Sequence, residues 1–434
     1  MTPYLMRAHR VLTLTLLVVS APVLLLAADW PQLGGPMRNG ISPETGINTN
    51  WAAHVPPIIW TFPMHDNGYA AVTIVDGTAF VLDHMGDQDI LRALDLATGL
   101  QRWESGYKDT GSSQVGYARC NPAYDSGKIY TFSRVGNGAC FDAKTGKILW
   151  LRNLKADFNG VLPSWDYSAS PVVDGNQVIY LPGGKGASVV ALDKNTGATI
   201  WNNGDDRPSH ATPVIATINN VKQYVIYDGF GVIGVRPDNG QQLWRYQWYT
   251  QHDVHAAWPV VIGNKVFITA GYGMGSAMLS IDEKWKVKEL WKNKELIGRT
   301  ANPILYKGYI YCTDETARLV CLNPETGLVV WAQDGFGARL DVAWKDGFCT
   351  GSGGLVMVDG TLFVVSELTK SMVAVRATPE GYQELGRVKV FDKSTVDLFT
   401  TPSYSDGKLI VRDTKNLYCL DLSPTASQPP AQRQ

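Results

Sequence analysis

Apolar and polar residues alternate in short runs along most of the chain, with Gly and Asn in the gaps. This is a pattern of strands and tight turns with little helical periodicity. One phrase recurs. It reads LVCLNPETGLVVW at 319–331, VVALDKNTGATIW at 189–201, LRALDLATGLQRW at 91–103 and, shorter, ACFDAKTGKILW at 139–150. In each copy an alternating strand enters a Thr-Gly turn, where Gly adopts positive φ without penalty, and an outgoing strand ends in Trp. Trp60, Trp103, Trp150, Trp201, Trp244, Trp291 and Trp331 carry the period, at a spacing of roughly 45 residues.

A second signal keeps step with the first. Tight turns fall at Asp76-Gly77, Ser126-Gly127, Asp174-Gly175, Asn219-Asn220, Gly263-Asn264, Lys307-Gly308, Asp359-Gly360 and Asp406-Gly407. Each unit therefore reads as four antiparallel strands, A to D, with the first signal at the C–D turn and the second at the A–B turn. The last unit has three strands and no Trp, whereas VPPIIWTF at 55–62 is a D strand with no A, B or C before it. Seven complete units and one split unit predict an all-β, eight-bladed β-propeller closed by pairing of N- and C-terminal strands, which removes exposed sheet edges. The repeated Trp residues read as structural wedges between blades. Blade five departs from the phrase with DEKWKVKELW, and blade seven with ATPEGYQELGRVKV, which lacks the Trp.

Composition sharpens this picture. The 434 residues are 45% hydrophobic and 18% charged, enough for an extensive core, and a formal net charge of -1 gives no general attraction to nucleic acid. Arg7 and Arg10 precede VLTLTLLVVSAPVLLLAA, so residues 1–28 read as a signal peptide or an N-terminal anchor. Cleavage after Ala27 or Ala28 is expected even though Leu25 or Leu26 stands three residues before the cut. The body is then periplasmic or extracellular. Residues 29–54 form an N-terminal extension, 55–422 the propeller, and 423–434 a Pro- and Gln-rich disordered tail. No Cys follows the apolar run before Cys120, so a lipid-bearing Cys at the cut is not expected. Cys312 with Cys321, and Cys120 with Cys140, could pair across hairpins, but buried small apolar residues are the expected reading.

The phrase A-L-D-x-x-T-G-x-x-x-W resembles the PQQ-type propeller repeat over residues 60–422, and ADWPQLGGPMRNGISPETGI resembles the N-terminal signature of exported bacterial PQQ-like propellers. In size and blade number the chain is similar to the BamB family of outer-membrane assembly lipoproteins, which implies a binding scaffold. The quinoprotein alcohol dehydrogenases of this fold would imply PQQ held with calcium. They carry an adjacent Cys-Cys pair, and none of the six Cys here adjoins another.

A ligand or partner is expected on the face that gathers the D–A connections, since loops on a rigid scaffold carry binding residues. Residues just before each A strand ring the channel there: Tyr69, Arg119, Tyr167, His210, His255, Arg299 and Phe399. Asp166, His252 and Asp253 lie beside them. The His252–His255 spacing is not that of a helical zinc pair, and no metal is expected. GGKGAS at 183–188 reads as a hairpin connection. Asp166, Asp253, Asp341 and Asp397 lie on separate segments, and no catalytic residue is assigned. The expected function is a non-catalytic, monomeric envelope scaffold without cofactor, binding a protein or small ligand. A quinone-dependent dehydrogenase with its site at the channel mouth is the alternative.

Overall fold

Eight four-stranded antiparallel sheets, one of them extended by a short parallel fifth strand, stand around a central channel in the computed structural model, which describes residues 28–111, 113, 115–337, 353–393 and 398–424. Blade one runs from Thr73–Val75 to Gln101–Lys108, and blades two to seven follow in chain order, ending at Glu384–Lys389. In blade eight, Ser403–Ser405, Lys408–Arg412 and Asn416–Asp421 are completed by Ile58–Pro63, with Trp60 opposite Cys419. The predicted closure is present. Residues 1–27 of the segment expected to be a signal peptide or anchor, together with Asp341, Asp397 and the tail from 425, lie outside the described residues.

The first-to-second-strand turns follow from local chemistry. At Asp76-Gly77, Ser126-Gly127, Asn219-Asn220, Lys307-Gly308, Asp359-Gly360 and Asp406-Gly407 both turn residues have positive φ, the geometry that matches strand twist in a two-residue hairpin. GGKGAS joins Gln177–Tyr180 to Val189–Asp193 as a hairpin connection. The five described cysteines, Cys120, Cys140, Cys312, Cys321 and Cys419, are free and buried.

The core lies between blades, and the repeat phrase shows how it is locked. Trp60, Trp103, Trp150, Trp201, Trp291 and Trp331 reach the third-to-fourth-strand turn of the next blade. The indole Nε1 donates to a carbonyl there: Trp60 to Leu96 at 2.8 Å, Trp150 to Lys194 at 3.1 Å, Trp201 to Pro237 at 2.9 Å and Trp291 to Pro324 at 2.9 Å. The same indoles cover the turn glycines. A Cβ on Gly99, Gly197, Gly240 or Gly327 would come within 2.4–2.9 Å of the ring, so Gly is required for close approach as well as for φ. Blade five has no such glycine. There Trp244 donates to Gln223 Oε1 of its own blade, and Asn219 takes the Ile281 and Asp282 carbonyls instead.

Blade seven lacks its own Trp and receives one from elsewhere. Gly386 sits opposite Ala374, the register at which Trp103 faces Ala93 and Trp201 faces Ala191. Trp51 fills that place, with its ring 5.2 Å from Phe363, as Trp103 packs on Phe80 at 5.9 Å in blade one. Residues 29–54, which the repeat count leaves outside the ring, thus contribute to it.

The remainder of this segment crosses the channel at its first-to-second-strand-turn end. Trp30 exchanges backbone bonds with Ile74 of blade one, Pro31 O accepts from Tyr124 N of blade two, and Arg38 Nη2 donates to Val173 O of blade three. Gly40 packs against Ile304 of blade six, and Ile41–Ser42 pairs in parallel with Leu355–Val358 of blade seven. Glu44 then accepts from Asp406 N of blade eight at 2.8 Å. One end of the channel is closed by its own chain.

Candidate functional site

The opposite end is built from outermost-to-innermost-strand connections, which hydrogen-bond from blade to blade. Ala118 O accepts from Tyr69 N at 2.7 Å, and the Tyr69 ring lies 5.2 Å from Phe399. Arg119 donates to Asp166 at 3.0 Å and to Trp165 O. Ser168 Oγ meets His210 Nδ1 at 2.8 Å, and His210 N donates to His255 O at 3.2 Å. Tyr69, Arg119, Asp166, His210 and His255 therefore form a continuous chain of contacts across blades one to five.

Several of these side chains belong to the wall rather than to the surface. Tyr167 is buried and donates its hydroxyl to Pro182 O at 2.6 Å. His255 is 0% exposed, its Nε2 donates to Trp248 O at 2.7 Å, and its ring stacks on Tyr227 at 4.8 Å. Burial pulls its pKa down to about 4. His210 is held down to about 3 by burial, with Arg119 and His255 adding to the effect. The expectation that Tyr167, His210 and His255 present themselves to a ligand is corrected on these grounds: all three are buried in the wall. Arg119 is likewise only 7% exposed and engaged with Asp166.

His252 and Asp253 do not join His255 in a metal-binding group. Both have left-handed φ, 60° and 59°, and the turn they make sends them to different partners. Asp253 pairs with Arg207 at 2.6 Å. His252 is exposed, and its ring lies edge-on between Trp165 at 5.6 Å and Tyr272 at 6.0 Å. The Arg299 guanidinium lies 4.7 Å over Tyr272 and donates to its hydroxyl at 3.1 Å. Glu315 fixes the Tyr272 turn by accepting from Tyr272 N and Gly273 N at 2.7 and 2.6 Å. Trp165, His252, Tyr272 and Arg299 are thus a partly exposed cluster on the rim. Trp165 and Tyr272 escaped the sequence reading because they do not precede an innermost strand, although the position of Trp165 just before Asp166 was available as a signal.

Beneath the mouth, blades one and two bury a second charged group, His84, Asp89 and Asp109, whose ligand-type atoms lie within 4.8 Å of one another. His84 Nδ1 meets Asp89 at 2.8 Å and Nε2 meets Gly86 O at 3.0 Å, so both nitrogens face acceptors. Burial opposes the charge on His84, yet the Asp89 hydrogen bond and carboxylate raise its pKa overall. Burial pushes Asp89 up to about 6, against the opposing pull of His84. Arg134 lies 3.4 Å from Asp109. Because the folded state holds the Asp89 proton more tightly than the unfolded state, stability falls as pH rises from 3.8 toward about 6. Asp89→Asn is expected to flatten that part of the profile, measured as urea midpoints between pH 4 and pH 6.5. An unchanged slope would contradict the assignment.

With the ring and its mouth described, comparison with known proteins decides the family. The family model described as outer membrane protein assembly factor BamB matches residues 86–333. The chain belongs to this BamB family of PQQ-like propellers. A BamB relative from Moranella endobia is 24% identical over 315 residues, 64% of this chain and 72% of its own. A quinoprotein ethanol dehydrogenase of Pseudomonas putida is 26% identical over 192 residues, 37% of this chain, and the match spans only 30% of the dehydrogenase. The crystal structure of BamB from Moraxella catarrhalis superposes with a TM-score of 0.60 at 14% identity, covering 85% of this chain and 98% of that one. At that identity the likeness is one of fold.

PQQ with calcium is the group expected at this mouth under the quinone-dependent alternative. Calcium takes about six to eight oxygen ligands. At this mouth Asp166 is bound by Arg119 and approached by Arg134 at 3.4 Å, and Asp253 is bound by Arg207, so both carboxylates already face a guanidinium.

Proposed function

We propose that this BamB-family propeller is an exported, non-catalytic binding scaffold of the cell envelope that docks a protein segment on its channel mouth. The observation that carries this reading is the division of labour at the mouth. The carboxylates Asp166 and Asp253 are tied to arginines, while the aromatic and cationic rim of Trp165, His252, Tyr272 and Arg299 remains partly exposed. Proton abstraction requires a carboxylate or imidazole within reach of the substrate; among the described residues Asp166 and Asp253 are ion-paired and His210 and His255 are buried, which leaves the His252 imidazole on the rim without a carboxylate beside it to orient it. An aromatic rim with a guanidinium suits a peptide segment that offers apolar and acidic side chains. The printed name of the BamB relatives, an assembly factor of outer-membrane proteins, favours a protein partner in the envelope.

A photo-crosslinking side chain at position 252 tests this. It should capture one defined envelope protein, and capture should fall at least about tenfold in an Arg299→Ala, Tyr272→Ala background, the loss expected when two anchor contacts go. The same probe at Leu149, exposed on the outer edge of blade two, serves as the control. Capture that is equal at both positions, or unaffected by the rim substitutions, would contradict the proposal. Stability should be almost unchanged by the rim variants, whereas His255→Ala, which empties a fully buried and hydrogen-bonded position, is expected to cost about 2–3 kcal/mol.

A further inference from the structure

The closed end of the channel holds a carboxylate whose partners point to a proteolytic processing site. Glu44 is half-buried where the N-terminal segment meets blade eight. Its Oε1 accepts from Ala28 N at 2.9 Å and from Asp406 N at 2.8 Å, its Oε2 from Gly407 N at 3.3 Å, and Tyr404 hydrogen-bonds to it as well. All of these are uncharged donors, and among the described residues no Lys or Arg pairs with this carboxylate. Two residues further on the chain is already locked, because Asp29 Oδ1 accepts from Asp76 N at 3.0 Å and Trp30 exchanges two backbone bonds with Ile74.

The apolar run ends in Ala27 and Ala28, and either bond beside them could be the one cut. The two products differ at Glu44. A cut after Ala28 discards the nitrogen that Glu44 holds and places the new ammonium beside the side chain of Asp29. A cut after Ala27 turns that same nitrogen into an α-ammonium at 2.9 Å from a carboxylate that lacks a cation. A charge-assisted bond of this kind is roughly twice as strong as its neutral counterpart. We infer that the mature chain begins at Ala28 and that Glu44 is the receptor for its α-ammonium group, stapling the channel-closing segment to blade eight. In the step itself, water adds to the Ala27 carbonyl, the Ala27–Ala28 C–N bond breaks, the carboxylate leaves with the leader, and the proton goes to the Ala28 nitrogen. Water is the co-reactant, and a leader endopeptidase of the envelope is the catalyst. The inference rests on the export reading.

The test uses the protein isolated from the cell envelope. Intact mass and N-terminal sequencing are expected to give Ala28 as the first residue. A start at Asp29, or at any other residue after removal of the leader, overturns this inference and leaves export standing. A chain that retains residues 1–27 overturns both the inference and the cleaved-leader form of export. The second measurement is acylation of the α-amine at pH 7, followed by mass spectrometry of the N-terminal peptide. Pairing with Glu44 should raise the amine's pKa by about one unit above its usual 7.7–8.0, so labelling in the folded protein should be about tenfold slower than in the denatured chain. Glu44→Gln should remove that protection in a protein that still unfolds cooperatively. If the variant does not fold, the comparison of folded with denatured wild type decides alone. Equal labelling of the two would sink the proposal.

Discussion

Deletion of residues 29–62 is expected to abolish cooperative unfolding altogether. The segment performs three structural tasks: it fills the closed end of the channel from Trp30 to Glu44, it supplies Trp51 to blade seven, and it provides Ile58–Pro63 as the outermost strand of blade eight. Without it, Asn416–Asp421 becomes an unpaired edge and the facing surfaces of blades eight and one lose Trp60. A domain of this kind has about 5–15 kcal/mol of net stability, and loss of three buried Trp residues, Trp30, Trp51 and Trp60, at about 3–5 kcal/mol each consumes essentially all of it before the strand is counted. Calorimetry is expected to show no single transition and a tendency to aggregate. A deletion variant that melts as sharply as the intact protein would refute the closure.

Trp51→Ala is expected to destabilise by about 3–5 kcal/mol, as much as Trp150→Ala, although Trp51 belongs to no repeat. Both indoles are almost wholly buried. Gly386 shows the dependence from the other side. Its φ is 145°, and a Cβ there would lie 2.6 Å from the Trp51 Cβ, so Gly386→Ala should also destabilise, by strain and displacement of the indole. Urea unfolding of the three variants checks this. A Trp51→Ala variant within about 1 kcal/mol of wild type would show that blade seven does not use it.

Much of the ring was legible in the sequence because its signals are local. A Thr-Gly turn, a two-residue turn with positive φ and a Trp at a fixed register each act within a few residues, and eight copies reinforce one another. Even the split blade could be read, since Trp60 lacked preceding strands and the last unit lacked a Trp. The capture of Trp51 by blade seven could not be read, because the two positions are joined only by folding of the ring. The site was legible as a place and not as a set of side chains. Residues before each innermost strand do reach the mouth, but whether a ring faces solvent or the neighbouring blade depends on one turn of backbone. His255 points inward to Trp248 O and Tyr227, while His252, three residues earlier, is turned outward by its left-handed φ. The His84, Asp89 and Asp109 group was missed for a related reason: its members come from a long hairpin and the following connection, with no motif spacing.

Beyond the family, we propose that the mouth of this BamB-family propeller binds a partner and does not oxidise a substrate. Purified protein titrated with PQQ in the presence of calcium, followed by absorbance and calorimetry and then assayed for dye-linked oxidation of alcohols and sugars, tests it most directly. The expected result is no saturable uptake and no oxidation. Saturable binding with substrate-dependent dye reduction, lost in an Asp166→Asn or Asp253→Asn variant that remains folded, would contradict the claim and favour the dehydrogenase alternative.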